Sequence, residues 1–258
     1  VTLPGDRDDR SASNGAGALN PLSRARGALL YRRAKRDGPL LELGMRSRSQ
    51  TMLVAFGGIH LRSGVPPYEF SSLTGRTGVK RLYVRDVRQA WYHRGIPGHG
   101  DRLMDVAAAL RAVVARHRVE RLVVVGNSAG GYAALVFGTL LAADVVLAFS
   151  PQTVLDLDTL ARIDDHRWDE MLQPLERDAA FDRAWVDLAS ALPTARHAET
   201  QYRVFFDDTH LDRVHCERLA GIEGVRLLRF GGGEHELARA LRENGALARV
   251  VEHAIRPA

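Results

Sequence analysis

From Thr51 onward the chain sets short apolar runs between amphipathic stretches, a pattern that predicts strands alternating with helices in a mostly parallel sheet. The runs predicted as strands are Met52–Phe56, Arg81–Val84, Arg121–Val125, Val145–Phe149, Tyr202–Phe206 and Val225–Phe230. Between the second and third, Leu103, Val106, Leu110, Val113 and Val114 return to one face at helical spacing, with Asp101 placed to cap that crossover helix. A second helix is predicted after Ser128, with Tyr132, Leu135, Val136 and Leu140 on its buried side. Asn244-Gly245 breaks the last helical region into His235–Glu243 and Ala246–Ile255. The expected architecture is a three-layer, doubly wound α/β domain with a mostly parallel sheet.

The flanks read differently. Residues 1–27 are rich in Gly, Ser, Asn, Asp and Arg with little periodicity, the mark of a flexible N-terminal arm, which leaves 28–258 as one domain. Residues 151–200 are long for a single crossover and carry Trp168, Met171, Leu172, Leu175, Trp185, Val186 and Leu188. Two readings stay open, a small helical cap or crossover helices packed onto the sheet.

With 45% hydrophobic and 26% charged residues, the chain can bury a substantial core, so wholesale disorder is not expected. Cys216 is the only cysteine, which rules out an intrachain disulfide and a cysteine-rich metal site and favours a reducing, cytoplasmic setting. Asp144 interrupts the longest apolar region, 132–149, so no membrane span is expected, and residues 1–5 lack the apolar core of a secretory signal. The formal charge is +5, and Arg24, Arg26, Arg32, Arg33, Lys35 and Arg36 form a basic cluster. Without interleaved aromatics or a reader fold it points to a solvated face rather than to nucleic acid.

Chemistry enters at Leu122-Val123-Val124-Val125-Gly126-Asn127-Ser128-Ala129-Gly130-Gly131, an apolar strand running through G-x-S-x-G into a helix. A serine that attacks a carbonyl must project from a sharp turn, and glycines two places to either side remove the side chains that would collide there. Serine needs a base, and the base needs an acid to orient it. The base candidate is His235, delivered by Gly231-Gly232-Gly233-Glu234 after the last strand. Three aspartates after Tyr202–Phe206 compete as the acid: Asp212 is narrowly preferred over Asp208, with Asp207 third. Asp212 also reads as the N-cap of the stretch that follows it.

Donors for a developing oxyanion are expected from the amide of Ala129 and from Gly58 or Ile59 in the turn after the first predicted strand. The loop Arg85–Arg94 follows a predicted strand and so should lie on the ligand-binding edge of the sheet. Within it Trp91 and Tyr92 could stack on a sugar or acyl group, Arg88 and Arg94 could pair with an anion, and His93, like His60, could touch substrate. The alternative is that Trp91 and Tyr92 anchor the loop to the core. No His, Asp and Glu spacing resembles a zinc site, and neither a P-loop nor a dinucleotide fingerprint is present.

On the elbow and the Ser, Asp, His order, residues 51–235 resemble the α/β-hydrolase superfamily. Residues 90–98, Ala148-Phe149-Ser150-Pro151-Gln152-Thr153 and 212–219 are also similar to a bacterial subgroup associated with surface polysaccharide and glycosyltransferase systems. The resemblance implies an acyl-enzyme route on an ester or thioester of a small molecule or saccharide. Water as acceptor makes an esterase or thioesterase; a sugar hydroxyl makes an O-acyltransferase, with acetyl-CoA as co-substrate. No other cofactor and no metal is implied, and a non-catalytic binding protein on the same fold is the third reading.

Overall fold

A computed structural model describes residues 38–59, 70–74 and 77–256. The expected arm, the basic cluster and His60 lie outside them. Seven strands form one sheet: β1 (Leu40–Leu43), β2 (Thr51–Phe56), β3 (Lys80–Val84), β4 (Arg121–Asn127), β5 (Val145–Phe149), β6 (Gln201–Asp207) and β7 (Val225–Phe230). Their order is β1-β3-β2-β4-β5-β6-β7, parallel throughout except for β1, which runs antiparallel to β3. The six predicted strands all occur. The seventh, Leu40-Leu41-Glu42-Leu43, is too short and too close to Pro39 and Gly44 to stand out in a sequence window.

The central strands are apolar at nearly every position because both of their faces are covered. Period-two alternation divides them between two clusters: Met52, Val54, Val124 and Val146 face one side, and Leu53, Ala55, Val123 and Val145 face the other. The first side is covered by α2 (Leu103–Arg116) and α3 (Ala129–Leu140), the second by α8 (Leu237–Glu243) and α9 (Ala246–Ile255), which completes the three layers. A four-residue turn of helix, α1 (Ser71–Thr74), precedes β3. Asp101 does not cap α2 as expected. Asp105, inside the helix, instead accepts from the Asp101 and Arg102 amides at 3.0 Å each, and Asp101 pairs with Arg88 at 2.8 Å.

Between β5 and β6 the chain makes α4 (Leu157–Arg162), α5 (Asp169–Glu176) and α6 (Leu188–Ala195). Leu155, Leu160, Leu172, Leu175, Trp185, Leu188 and Leu192 join the same apolar cluster as the first sheet face. This added layer explains why α3 is buried almost all round rather than along one stripe. A last short helix, α7 (Asp212–Glu217), follows β6. Among the described residues no helix is long and apolar enough to cross a membrane.

His93 is sealed inside this layer at 0% exposure. Its Nδ1 accepts from the Asp182 amide (3.0 Å), so Nε2–H donates to the Tyr132 hydroxyl (2.8 Å), which donates to the Trp185 carbonyl (2.9 Å). Burial pushes the imidazole down to about 3, and the ring stays neutral. In the unfolded chain the same ring takes a proton near 6.5. Its contribution to stability is therefore complete above that pH and shrinks as pH falls toward 3. Urea unfolding at a series of pH values should show stability dropping below pH 6.5. His93→Gln, which cannot gain a charge, should be less stable at pH 7 yet show a flatter slope between pH 6.5 and 4.

Candidate active site

The carboxyl ends of β4, β5, β6 and β7 converge on Ser128. β4 hands the chain to α3 through a turn in which Ser128 has φ 56° and ψ −123°, a region that non-glycine residues occupy only under strain. Its amide donates to the Phe149 carbonyl (2.9 Å), which ties the turn to the end of β5. A Cβ at Gly126 would overlap the Gly130 carbonyl, and one at Gly130 would sit 2.5 Å from the Phe56 carbonyl oxygen. The glycines are thus required by strand and helix closing on one another. The second contact also brings the end of β2 and Gly57, which opens the turn 57–59, against the start of α3.

His235 follows β7 on a single turn of 3-10 helix, Glu234–Glu236. Its Nδ1 is 2.7 Å from Asp212 Oδ2 and its Nε2 is 2.9 Å from Ser128 Oγ. A carboxylate can only accept, so the Nδ1–H donates to Asp212, leaving the Nε2 lone pair to accept the Ser128 hydroxyl proton. Asp212, at the start of α7, is 1% exposed. Burial by itself would raise its carboxyl, but the His235 hydrogen bond and the Arg167 charge outweigh that and hold it below the ordinary carboxylate range.

Arg167 reaches Asp212 from the segment between α4 and α5. One NH group donates to Asp212 Oδ1 (2.9 Å), while Nε and the other NH2 grip both oxygens of Asp165 at 2.9 and 2.8 Å. Asp165 is itself buried and accepts from His215 Nε2 (2.8 Å). No motif in the sequence marks Arg167 or Asp165, since they become part of the site only when the β5–β6 segment folds back over α7.

Asp207 has a different task. It is fully buried at the end of β6, where Oδ2 accepts from the Gly233 and Glu234 amides (2.6 and 2.8 Å) and Oδ1 from the Thr209 amide and hydroxyl (2.8 and 2.7 Å). Burial opposes ionisation, yet these four donors hold the carboxyl well below its usual range. One carboxylate thereby joins the loop leading to Asp212 to the loop leading to His235. Asp208 is half exposed beside Arg213 and Arg229 at 3.9 and 3.8 Å, and of the three aspartates it is Asp212 whose carboxylate meets His235.

A parallel sheet flanked by helices on both faces, with a strained serine turn after β4 and a histidine after β7, is a defined arrangement. Solved structures share its fold. The capsule O-acetyltransferase of Neisseria meningitidis serogroup A superposes with a TM-score of 0.58 at 14% identity, covering 80% of this chain and 88% of that one. A hormone-sensitive lipase from a metagenome library gives 0.56 at 15% identity over 93% and 92%. This chain has the α/β-hydrolase fold. A chain of the glycosylation-associated protein (Gap123) complex from Streptococcus agalactiae gives 0.57 at 14% identity, and here 82% of this chain spans only 43% of the longer partner. No protein-family model and no curated protein sequence matches the chain.

In this α/β-hydrolase fold the loop after β3 departs from the sequence expectation. Trp91, Tyr92 and His93 are all 0% exposed, so they anchor the loop in the core instead of presenting a stacking surface. Tyr92 places its hydroxyl between the carbonyls of Gly57 and Val84 (2.9 and 3.1 Å), and Trp91 donates to Gln152 Oε1 (3.3 Å). Arg94 pairs with Asp178 at 2.7 Å and Arg88 with Asp101, so the anions expected from a ligand come from the chain itself. Gln152, which sequence reasoning left without a role, donates from Nε2 to Ser128 Oγ (3.2 Å).

His210, Asp212 and His235 each offer one ligand atom, and these lie within 4.8 Å of one another, a grouping the sequence spacing does not advertise. Two of these residues, Asp212 and His235, are already joined by a hydrogen bond. A cavity of about 810 Å³ lined by Gln50, Thr51, Arg121 and Asp144 lies at the amino ends of the strands, remote from Ser128.

Arg167 supplies the counter-charge for two buried carboxylates, so its replacement should be felt in both stability and its pH dependence. Breaking a fully buried ion pair costs roughly 3–5 kcal/mol. Because Arg167 keeps 27% of its side-chain surface, Arg167→Met should lower the unfolding free energy at pH 7 by about 2 kcal/mol. Asp165 and Asp212 are depressed in the folded state, so their stabilisation is present above about pH 4 and is lost as pH falls through their folded values. Without Arg167 both carboxyls rise, and the gap between variant and wild type, measured by urea titration, should narrow as pH falls below about 4, toward the folded values of the wild type.

Proposed function

We propose that the protein is a serine-dependent acyl-transfer enzyme acting on an ester or thioester, with water as the final acceptor. The observation that carries this reading is the unbroken line Asp212–His235–Ser128, at 2.7 and 2.9 Å, ending on a serine held in a strained turn between strand and helix. Ser128 Oγ attacks the carbonyl carbon as its proton passes to His235 Nε2, and the imidazolium so formed is stabilised by Asp212. The carbonyl oxygen becomes an oxyanion beside the Ala129 amide and the turn carrying Gly58 and Ile59. The bond to the leaving oxygen or sulfur then breaks as His235 returns its proton there. Water, deprotonated by the same histidine, attacks the acyl-serine and releases the acid.

A second reading keeps the first half of this sequence and replaces water by a saccharide hydroxyl, with acetyl-CoA as the donor. Its support is the likeness to a capsule O-acetyltransferase over most of both chains. The same catalytic groups serve either acceptor, and what differs is how well the closed site holds a sugar and keeps out water.

The wild-type protein should label with a fluorophosphonate and hydrolyse a short p-nitrophenyl ester. Ser128→Ala should abolish both with little change in melting temperature. Asp212→Asn should lower turnover by roughly 10³- to 10⁴-fold through loss of the correct imidazole tautomer, and Asp208→Asn should stay within about twofold, as for a surface side chain outside the relay. A wild-type protein that neither labels nor turns over would favour a non-catalytic binding role. Faster acetyl transfer from acetyl-CoA to saccharides than to water would select the transferase.

A further inference from the structure

Gln152 lies three residues beyond β5, and its side chain is 1% exposed with both ends of its amide engaged. Burying an amide is costly unless its donors and acceptor find partners, so the direction of the group carries information. An indole N–H only donates. Trp91 Nε1 therefore takes the Oε1 end, and the NH2 end must face Ser128. The nucleophile consequently meets a donor on this side and not a second acceptor. This fits the serine hydroxyl, which can give its hydrogen to His235 while accepting from Gln152.

Both supports of Gln152 are built at some cost. Gln89, Trp91 and Tyr92 all have positive φ, at 50°, 48° and 66°. Residues other than glycine occupy that region only under strain. The buried carboxylate of Asp86 holds that loop in place, accepting from the amides of Arg88 (3.0 Å), Ala90 (2.6 Å) and Tyr92 (2.9 Å). Trp91 is braced edge-on by Trp168 at 5.7 Å. On the other flank, Thr153 donates from its amide to His215 Nδ1 (3.2 Å) and from its hydroxyl to the His215 carbonyl (2.7 Å). His215 sits one turn after Asp212 on α7, so the helix that presents the acid to His235 also fixes the backbone that carries Gln152.

We propose that Gln152 is a further catalytic residue of the Ser128 centre, whose Nε2–H stabilises the charge that develops when Ser128 attacks, and that Trp91 is the positioning residue that aims it. The proposal rests on the acyl-transfer reading above. On attack the Oγ–C bond forms, the Oγ proton goes to His235, and the carbonyl π pair moves onto oxygen. That oxygen and Oγ share one carbon, so a donor 3.2 Å from Oγ needs only a small side-chain movement to reach it. Gln152 neither gains nor loses a proton. In passing from the neutral Oγ to the charged oxygen its hydrogen bond strengthens, so it favours the tetrahedral adduct over the bound ester.

The test uses Gln152→Met, which keeps length but has no donor, Gln152→Glu, Trp91→Phe and the Met/Phe double variant in the full chain. Each is assayed for p-nitrophenyl acetate kinetics, fluorophosphonate labelling rate and melting temperature. Loss of one oxyanion donor lowers kcat by roughly 10²-fold, so Gln152→Met is expected to lose about that factor in kcat and in labelling rate with KM little changed. Gln152→Glu, which turns an acceptor toward the oxyanion, should lose more.

Trp91→Phe should slow turnover several-fold in the wild-type background and add nothing in the Gln152→Met background, because the two act as a unit. If Gln152→Met does not fold, Gln152→Asn, which withdraws the donor by one methylene, carries the same test with the same expected loss. A folded variant without the donor that labels and turns over at the wild-type rate overturns the proposal and leaves the acyl-transfer reading standing. An equal slowing by Trp91→Phe in both backgrounds removes Trp91 from the positioning role. A wild-type protein inert to both reagents removes the underlying reading, and this proposal falls with it.

Discussion

The crossing of β4 and α3 at Ser128 leaves no room for side chains, and the rest of the site is arranged around that crowding. Gly126 and Gly130 meet across the turn, and Gly130 lies against the carbonyl that ends β2. The serine can then stand in a strained conformation at the carboxyl edge, with its amide tied to β5. Three neighbouring strand ends are drawn to one point as a result: β2 with its glycine turn, β5 with the segment that leads to Gln152, and β4 itself. A larger residue at either glycine would separate the strand from the helix and move the hydroxyl away from His235.

A second layer of organisation is electrostatic. Three carboxylates are buried near the site, and each is satisfied by donors from different parts of the chain. Asp207 joins the loops after β6 and β7, Asp212 orients His235, and Asp165 receives both Arg167 and His215. Unpaired buried charges would be strongly destabilising, so these residues require the surrounding loops to hold one geometry. The rigidity of the His235 loop thus comes from hydrogen bonds to Asp207 and not from packing, since the residues of that loop are only partly buried or exposed. Through Arg167 the long β5–β6 connection contributes to the site as well as to the core. It supplies a counter-charge to the carboxylate that His235 hydrogen-bonds.

The loop after β3 shows how a residue type can point to the wrong partner. Trp91, Tyr92 and two arginines on a loop at the ligand-binding edge look like a recognition surface, because aromatic faces and guanidinium groups are what sugars and acids meet. In the folded chain Asp86 draws the loop inward, the aromatic rings fill the core and the arginines pair with Asp178 and Asp101. Trp91 is still linked to the Ser128 turn, through its hydrogen bond to Gln152.

What the sequence alone determined is whatever rests on short-range pattern. The alternation of apolar runs with helical periodicity specifies a parallel, two-sided sheet, because strands covered on both faces must be apolar throughout. The glycines around Ser128 specify the turn, since only a close approach of strand and helix demands them at that spacing. A histidine on a glycine-rich loop after the last strand is legible for the same local reason. The choice among Asp207, Asp208 and Asp212 was not, because all three lie within six residues of one another after or at the end of one strand. They differ only in which way the folded loop turns each carboxylate: toward backbone amides, toward solvent or toward His235. The placement of Arg167, Asp165 and Gln152 was decided by the tertiary structure for a related reason. Their partners are 24 to 61 residues away where the link is Gln152 to Ser128 or Trp91, and 45 to 50 where it is Arg167 to Asp212 or His215 to Asp165. Contacts at that separation are made by packing of the β5–β6 segment over the sheet edge, and no local spacing encodes them.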